Sequence, residues 1–320
     1  MIGPEEYASF LGREYLRGYV DSGGCAVKFA VADDLAAPSL RHEAVAQGRD
    51  SGYEVAVLDA ATTRVHLIEQ VFFEVARQID WDGLAVTALR GATAAAGFPP
   101  PTDDVPTLDV LAAHYRTDTR ELKRDVDREL QRRIFKDFDM VQEFRMAMLR
   151  LCQAAFRTGQ VSDAEHTALL EWLRGDLRQM SALKSSLIYR RIARHNARQM
   201  LFSVPHWLAT NGHAGLLIVI DVRRLGVARR PPVEERVGQY YTRLGLLDAY
   251  EVLRQLIDST DELARCFVLV IAAPELLSDE LRGLDAYQAL KLRIFDEIRD
   301  RRRDNPFSSL VRIGREAVVA

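Results

Sequence analysis

Two stretches of the chain are almost uninterrupted in apolar character, Gly215–Val222 (GLLIVIDV) and Cys266–Ala273 (CFVLVIAA). Such runs, without polar alternation, are what strands covered on both faces require. Shorter β-like runs lie at Ala26–Val31 (AVKFAV), Glu54–Ala60 (EVAVLDA) and Ser309–Ile313 (SLVRI). The segment Pro38–Ser51 between the first two has the length of a helix, and strand–helix–strand at this spacing predicts a βαβ unit with parallel strands and a right-handed crossover. Over Val65–Gln78 the apolar residues Leu67, Ile68, Val71, Phe72 and Val75 recur at helical steps. The same logic predicts a helix over Val237–Asp258, with Tyr241, Leu244, Leu247, Leu253 and Ile257 facing the core, and another over Asp285–Arg303.

Between residues 105 and 200 the strand pattern vanishes. Val141, Phe144, Met148, Leu149, Cys152 and Phe156 recur at steps of three and four, one apolar helical face. Ser162 followed by Glu165 has the form of a capping box. The expected organisation is a first part of the core over 1–100, closed by Gly97-Phe98-Pro99-Pro100-Pro101, a helical insertion over 101–205, and a second part of the core over 206–320. That is an α/β fold with a parallel sheet of about five strands and an inserted helical subdomain.

Composition narrows the class rather than the function. With 320 residues the chain can bury a sizeable core; 48% hydrophobic and 28% charged residues exclude a disordered or fibrous protein. No apolar run approaches the roughly 20 residues that span a bilayer, and no signal peptide is visible, so a cytoplasmic protein without a membrane partner is expected. Cys25, Cys152 and Cys266 form no CxxC and read as reduced thiols. The net charge of −3 hides an asymmetry: residues 181–243 hold eleven Lys/Arg against three acids, a local +8 that leaves −11 elsewhere.

In open parallel sheets ligands bind at the carboxyl ends of strands. The run LLIVID ends in Asp221, as does a Walker B strand, where the aspartate serves Mg²⁺. A strand-terminal Asp also arises simply as a cap for the following loop. Here Val222 stands where a catalytic acid would follow. A phosphate-binding loop reads GxxxxGK[ST] after the first strand. The eight residues in that place are Ala32-Asp33-Asp34-Leu35-Ala36-Ala37-Pro38-Ser39. Ala32 and Ala37 replace both glycines. Pro38 replaces the lysine and lacks an N–H. Only Ser39 keeps its type. Taken alone, the stretch reads as an ordinary βα loop with Pro38 near the helix start.

The segments GGCAVKFAV (23–31), GYEVAVLDA (52–60), GLLIVID (215–221), YTRLGLLDAYEVLRQLIDSTDE (241–262), VLVIAAPELLSDELRGLDAYQALKLRI (268–294) and NPFSSLVRI (305–313) resemble the ATP-binding domain family of bacterial BREX phage-defence systems, a P-loop family related to AAA+ ATPases. The resemblance implies a P-loop NTPase-like sheet and a nucleotide site at Ala32–Ser39 and Asp221. Because Ala32, Ala37, Pro38 and Val222 depart from the family's phosphate machinery, it further implies a degenerate member, a pseudo-ATPase without cofactor. Such a subunit serves a protein partner, in the simplest case an active paralogous ATPase, within a homo- or hetero-oligomer. A working ATPase using Ser39 and Asp221 with ATP and Mg²⁺ is the alternative. Arg293 and Arg301 are the candidate interface arginines, although the Arg299–Arg303 cluster also fits a solvated helix end favoured by its dipole.

Two further basic groups stand out. Arg190, Arg191, Arg194 and Arg198 fall at helical spacing beside Tyr189 and His195, a face suited to phosphates or to a solvated, acid-paired surface. Arg223, Arg224, Arg229 and Arg230 follow the Asp221 strand and suit an anion, a nucleic-acid backbone or a mobile loop. His206 and His213 lack metal-ligating company in the sequence, so no metal is expected. Neither GxSxG nor GxGxxG occurs, which argues against an α/β-hydrolase and a dinucleotide enzyme.

Overall fold

The computed structural model describes residues 1–102, 104–228, 231–295 and 304–314. The chain divides into two compact units, Met1–Gln78 with His213–Ala320, and Ile79–Gly212. Sequence grouping places the first break at 97–101. It falls instead after Gln78, so the helix Trp81–Ala95 clusters with the helical unit.

The first unit opens with α1 (Pro4–Phe10), which runs on as a π-helical stretch over Leu11–Val20. It continues through β1 (Cys25–Ala32), α2 (Ala36–Asp50), β2 (Glu54–Asp59) and α3 (Ile68–Arg77). The second unit contributes α4 (Trp81–Ala95), α5 (Leu108–Tyr115), α6 (Thr119–Leu130), α7 (Gln142–Ala155), α8 (Asp163–Arg174) and α9 (Ala197–Thr210). The chain then returns to the first unit with β3 (Leu216–Asp221), α10 (Arg243–Asp258), β4 (Cys266–Ala272), α11 (Glu275–Ser278), α12 (Gln288–Ile294) and β5 (Leu310–Ile313).

All five strands are parallel, in the order β2-β3-β4-β1-β5. This is an α/β, P-loop NTPase-like architecture. The two continuous apolar runs become β3 and β4, buried at every position, as strands with neighbours on both sides and helices on both faces must be. β1 lies between β4 and β5. Its single charge, Lys28, is buried and donates to the carbonyls of Phe307 (2.5 Å) and Ser308 (3.1 Å), which fixes the NPFSS turn before β5. The core over one face joins Tyr7, Leu16 and Leu40 to Leu217, Phe267 and Val311.

In the second unit the predicted apolar face is present: Phe144, Met148, Leu149 and Cys152 on α7, and Phe156 at its C-cap, are buried. Ser162 caps α8 by accepting from Glu165 N–H at 3.2 Å. The Glu165 carboxylate does not complete the box but binds Arg150 (2.7 Å) and Ser186.

Two helix predictions are corrected. Residues 187–196 are irregular, so Arg190, Arg191 and Arg194 share no helical face with Arg198, which alone lies in α9. The backbone there finds side-chain partners instead: Trp172 donates to Arg190 O (3.0 Å), and Asn196 accepts from Ala193 N–H (2.8 Å) and donates to Arg191 O (3.2 Å). Local side-chain bonds of this kind compete with the helical ladder. Likewise α10 begins at Arg243, capped by Thr242, rather than at Val237. Of Asp285–Arg303, a 3₁₀ turn and α12 are helical up to Ile294, and 296–303 lie outside the described residues.

Gly48 marks where α2 crosses the sheet. A Cβ there would lie 2.5 Å from Leu217 Cδ2 and 2.9 Å from Val55 Cγ2. Gly48→Val is therefore expected to destabilise the first unit by about 1–3 kcal/mol through overpacking, read as a lower urea midpoint; an unchanged midpoint would show that α2 has room to retreat.

Candidate functional site

β1, β2 and β3 release the chain at the same edge of the sheet, and acids stand at or just beyond their ends. Asp59 and Asp221 stand opposite each other in register at the ends of β2 and β3, and Asp33 and Asp34 follow β1 directly. With Glu275 from α11 and the arginines 223 and 224, they line a cleft of about 480 Å³. Five carboxylates against two guanidinium groups make it a predominantly anionic opening.

The turn after β1 is short, and α2 begins at Ala36. The Asp33 carboxylate accepts from Leu35 N–H (3.0 Å) and Ala36 N–H (2.7 Å), while its carbonyl accepts from Ala37 N–H (3.0 Å). A helix N-terminus attracts phosphate because its first amides lack partners. Here the chain's own acid supplies them. Ala37, Pro38 and Ser39 sit in the first turn of α2 and do not line the cleft. Ala32 is buried at the end of β1.

Asp221 is only 3% exposed. A carboxylate so placed needs compensation, and Arg223 provides it. Its Nη2 lies 2.8 Å from Asp221 Oδ2, its Nε 3.1 Å and 3.2 Å from the two carboxylate oxygens, and its backbone N–H 3.1 Å from Oδ1. Nη1 reaches across to Asp34 Oδ1 at 2.8 Å. The bond to Asp221, above all, holds the guanidinium in its charged form. Arg223 is thus a clamp joining the ends of β1 and β3 rather than part of a mobile loop. Val222, in the place of a catalytic acid, donates its N–H to Ile271 O (2.8 Å) and is buried.

Arg224 turns outward over the Tyr240 ring (4.7 Å) and donates to Val237 O (3.3 Å). Tyr241 closes the β2 end. Its hydroxyl reaches Thr63 O (2.7 Å) and Ala60 O (3.0 Å) and accepts from Val65 N–H (3.3 Å), with its pKa pushed up to about 12 by burial. Arg282 donates to Leu225 O (3.0 Å) and Tyr241 O (3.1 Å), and its own carbonyl accepts from Tyr250 (2.5 Å). The RGL motif therefore holds the cleft wall. Its Gly283 leaves no room for a Cβ, which would meet Asp279 O at 2.4 Å.

Arg293 is engaged within its own unit: it pairs with Asp258 and donates to Ala289 O (2.6 Å). Asp258 also binds Arg254, whose guanidinium grips Glu251 (2.6 and 2.7 Å), and Tyr287 donates to Glu251 (2.5 Å). Arg229, Arg230 and Arg301 lie outside the described residues. Arg190, Arg194 and Arg198 belong to the helical unit, as does Arg191, which donates to Arg178 O (2.5 Å).

Sequence reasoning missed Asp59, Glu275 and the role of Arg223. The signals were present in part. EVAVLD repeats the acid-terminated form of LLIVID, and Asp221-Val222-Arg223 sets a guanidinium two residues beyond the acid.

The family model described as BREX system ATP-binding protein BrxC/D matches residues 107–315. That span contains β3, α10, β4 and β5 and begins after β1, β2 and the turn between β1 and α2. No curated protein matches the chain, and no solved structure does.

Removing the clamp isolates a buried charge. Arg223→Ala is expected to cost on the order of 3 kcal/mol, as for breaking a buried pair, while Asp221→Ala/Arg223→Ala recovers part of the loss; additive losses in a double-mutant cycle would refute the coupling. Arg254 holds the Glu251 pKa at about 2, below its ordinary 4.5. A carboxyl depressed in the folded state stabilises it above the unfolded pKa and loses that contribution as pH falls towards the folded one. The stability gap between the protein and Glu251→Gln should therefore be constant above pH 5 and close between about 4.5 and 2, as followed by urea unfolding at stepped pH.

Proposed function

Because the chain belongs to the family of BREX system ATP-binding proteins, we propose that it is a catalytically degenerate P-loop protein, a structural or regulatory subunit of a phage-defence assembly. Membership in that system implies a multi-protein assembly. The finer reading, a pseudo-ATPase, rests on one observation above all: the Asp33 carboxylate occupies the Leu35 and Ala36 amides at the turn where a triphosphate would have to seat.

Three features add to it. Pro38 stands at the lysine position inside a formed helix, and of the two cations among the described residues lining the cleft, Arg223 is bound to Asp221 and Asp34 and Arg224 is engaged with Tyr240 and Val237 O. Asp33, Asp34, Asp59 and Glu275 oppose a polyphosphate by simple Coulomb repulsion. Val222 offers no acid to polarise an attacking water. Phosphoryl transfer depends on positioned positive charge at the transferred group, so the residues present do not fit ATP and Mg²⁺ at this edge, and no hydrolytic step is assigned to them. What such a subunit contributes is a rigid sheet and its surfaces, to a protein partner such as a paralogous ATPase with an intact phosphate loop. Among the described residues no helix is long and apolar enough to cross a membrane.

Calorimetric titration with ATP and ADP, with and without Mg²⁺, tests the reading. No saturable binding and no phosphate release are expected, and co-expression with a P-loop ATPase of the same system is expected to yield a stable complex. Micromolar nucleotide binding would overturn the degenerate reading in favour of a non-standard nucleotide site.

A further inference from the structure

The helical unit contains a second constellation, independent of the cleft and of the reading above. Asp137 and Asp139 lie on the turn that follows the π-helical stretch Gln131–Phe135, and His206 projects from α9, 69 residues further on in sequence. One donor atom from each lies within 4.8 Å of the others. His206 Nε2 stands 2.7 Å from Asp137 Oδ2, and the Asp137 and His206 side chains are 18% and 29% exposed. Asp139 is exposed.

The set differs from an ordinary acidic patch in its donors. It joins a ring nitrogen to two carboxylates, and the nitrogen comes from a different element. The elements are also tied together. Val141 donates its N–H to Ser203 Oγ (3.1 Å), one helical turn before His206, and Ser203 donates to Gln199 O (3.0 Å). Asp139 N–H takes up Asp137 Oδ1 (3.2 Å), which leaves Oδ2 facing the imidazole. The neighbouring cation, Arg145, points elsewhere, donating to Phe135 O (2.6 Å) with its guanidinium 4.7 Å from the centre of the Phe138 ring.

We propose that Asp137, Asp139 and His206 form a binding site for a divalent transition-metal ion of the Zn²⁺ or Mn²⁺ class. Donors on a common ion with bonds of about 2.0–2.2 Å lie roughly 3–3.5 Å apart. The imidazole and Asp137, 2.7 Å apart as a hydrogen-bonded pair, open by a few tenths of an ångström to admit the ion, and the exposed Asp139 closes the remainder by side-chain rotation. Neutral imidazole beside carboxylate selects transition ions over Mg²⁺ and Ca²⁺, which prefer all-oxygen shells. With three protein ligands on a half-open surface, water completes the coordination. The ion cross-links the turn before α7 to α9 and replaces one hydrogen bond by three coordinate bonds.

The test is calorimetric titration of the tag-free, chelator-stripped full chain with ZnCl₂, MnCl₂ and MgCl₂. Saturable uptake of a single Zn²⁺ or Mn²⁺ is expected, with Mg²⁺ far weaker, and Asp139→Asn should weaken it at least about tenfold while circular dichroism stays unchanged. His206→Gln should abolish it; if that variant fails to fold, Asp139→Asn, at an exposed position, still decides. Absence of saturable transition-metal binding, equal affinity for Mg²⁺, or binding unaffected in Asp139→Asn overturns the proposal. None of these outcomes bears on nucleotide binding at the cleft.

Discussion

A carboxylate at the end of a doubly covered strand cannot stand alone. Asp221 is sealed by neighbours on β2 and β4, and in that setting its charge requires a permanent counter-charge within hydrogen-bonding reach. Arg223 meets the requirement from two residues away, and its spare nitrogen reaches Asp34 on the turn after β1. The consequences spread from there. The 3₁₀ turn Arg223–Gly226 is fixed, its Leu225 carbonyl becomes available to Arg282, and Arg282 in turn reaches Tyr241, which closes the end of β2. One compensated charge thus organises the whole carboxyl edge of the sheet.

That organisation also satisfies polar groups at the edge from within the chain. In a working site, loop amides and a lysine are left unsatisfied by protein so that the ligand can satisfy them. In this chain the Leu35 and Ala36 amides have Asp33 as partner, the strand-end Asp221 has Arg223, and Val222 N–H has Ile271 O. Self-satisfaction stabilises this edge of the sheet. Segments inside the span matched by the family model serve the same framework. Tyr241, Tyr250, Arg282 and Gly283 hold backbone to backbone, and Glu251, Arg254, Asp258, Tyr287 and Arg293 join α10 to α12 as one charge network.

Much of the fold was legible from hydrophobic periodicity. All five strands fall within a residue or two of their expected places; β3 and β4, buried at every position, leave an unbroken apolar record, and β1, β2 and β5 leave shorter ones. The helical unit was legible in kind, and the face of α7 in detail. The segment around Arg190–His195 was not. Its spacing is helical, yet its backbone bonds go to Trp172 and Asn196, and Leu187 holds a φ of 58°. A period counts residues; it does not record which competing hydrogen bond wins.

The sequence by itself determined the α/β class, the parallel sheet, the inserted helices and the make-up of the first βα turn, in which neither glycine nor lysine stands between Ala32 and Ser39, since each follows from local residue types and their spacing. Only the tertiary structure decided the pairings. It set Asp59 beside Asp221, Asp34 beside Arg223, Cys25 opposite Cys266 across β1 and β4, and His206 beside Asp137. These partners are separated by 69 to 241 residues, apart from no local pattern that joins them, and contact at that range is created by packing alone.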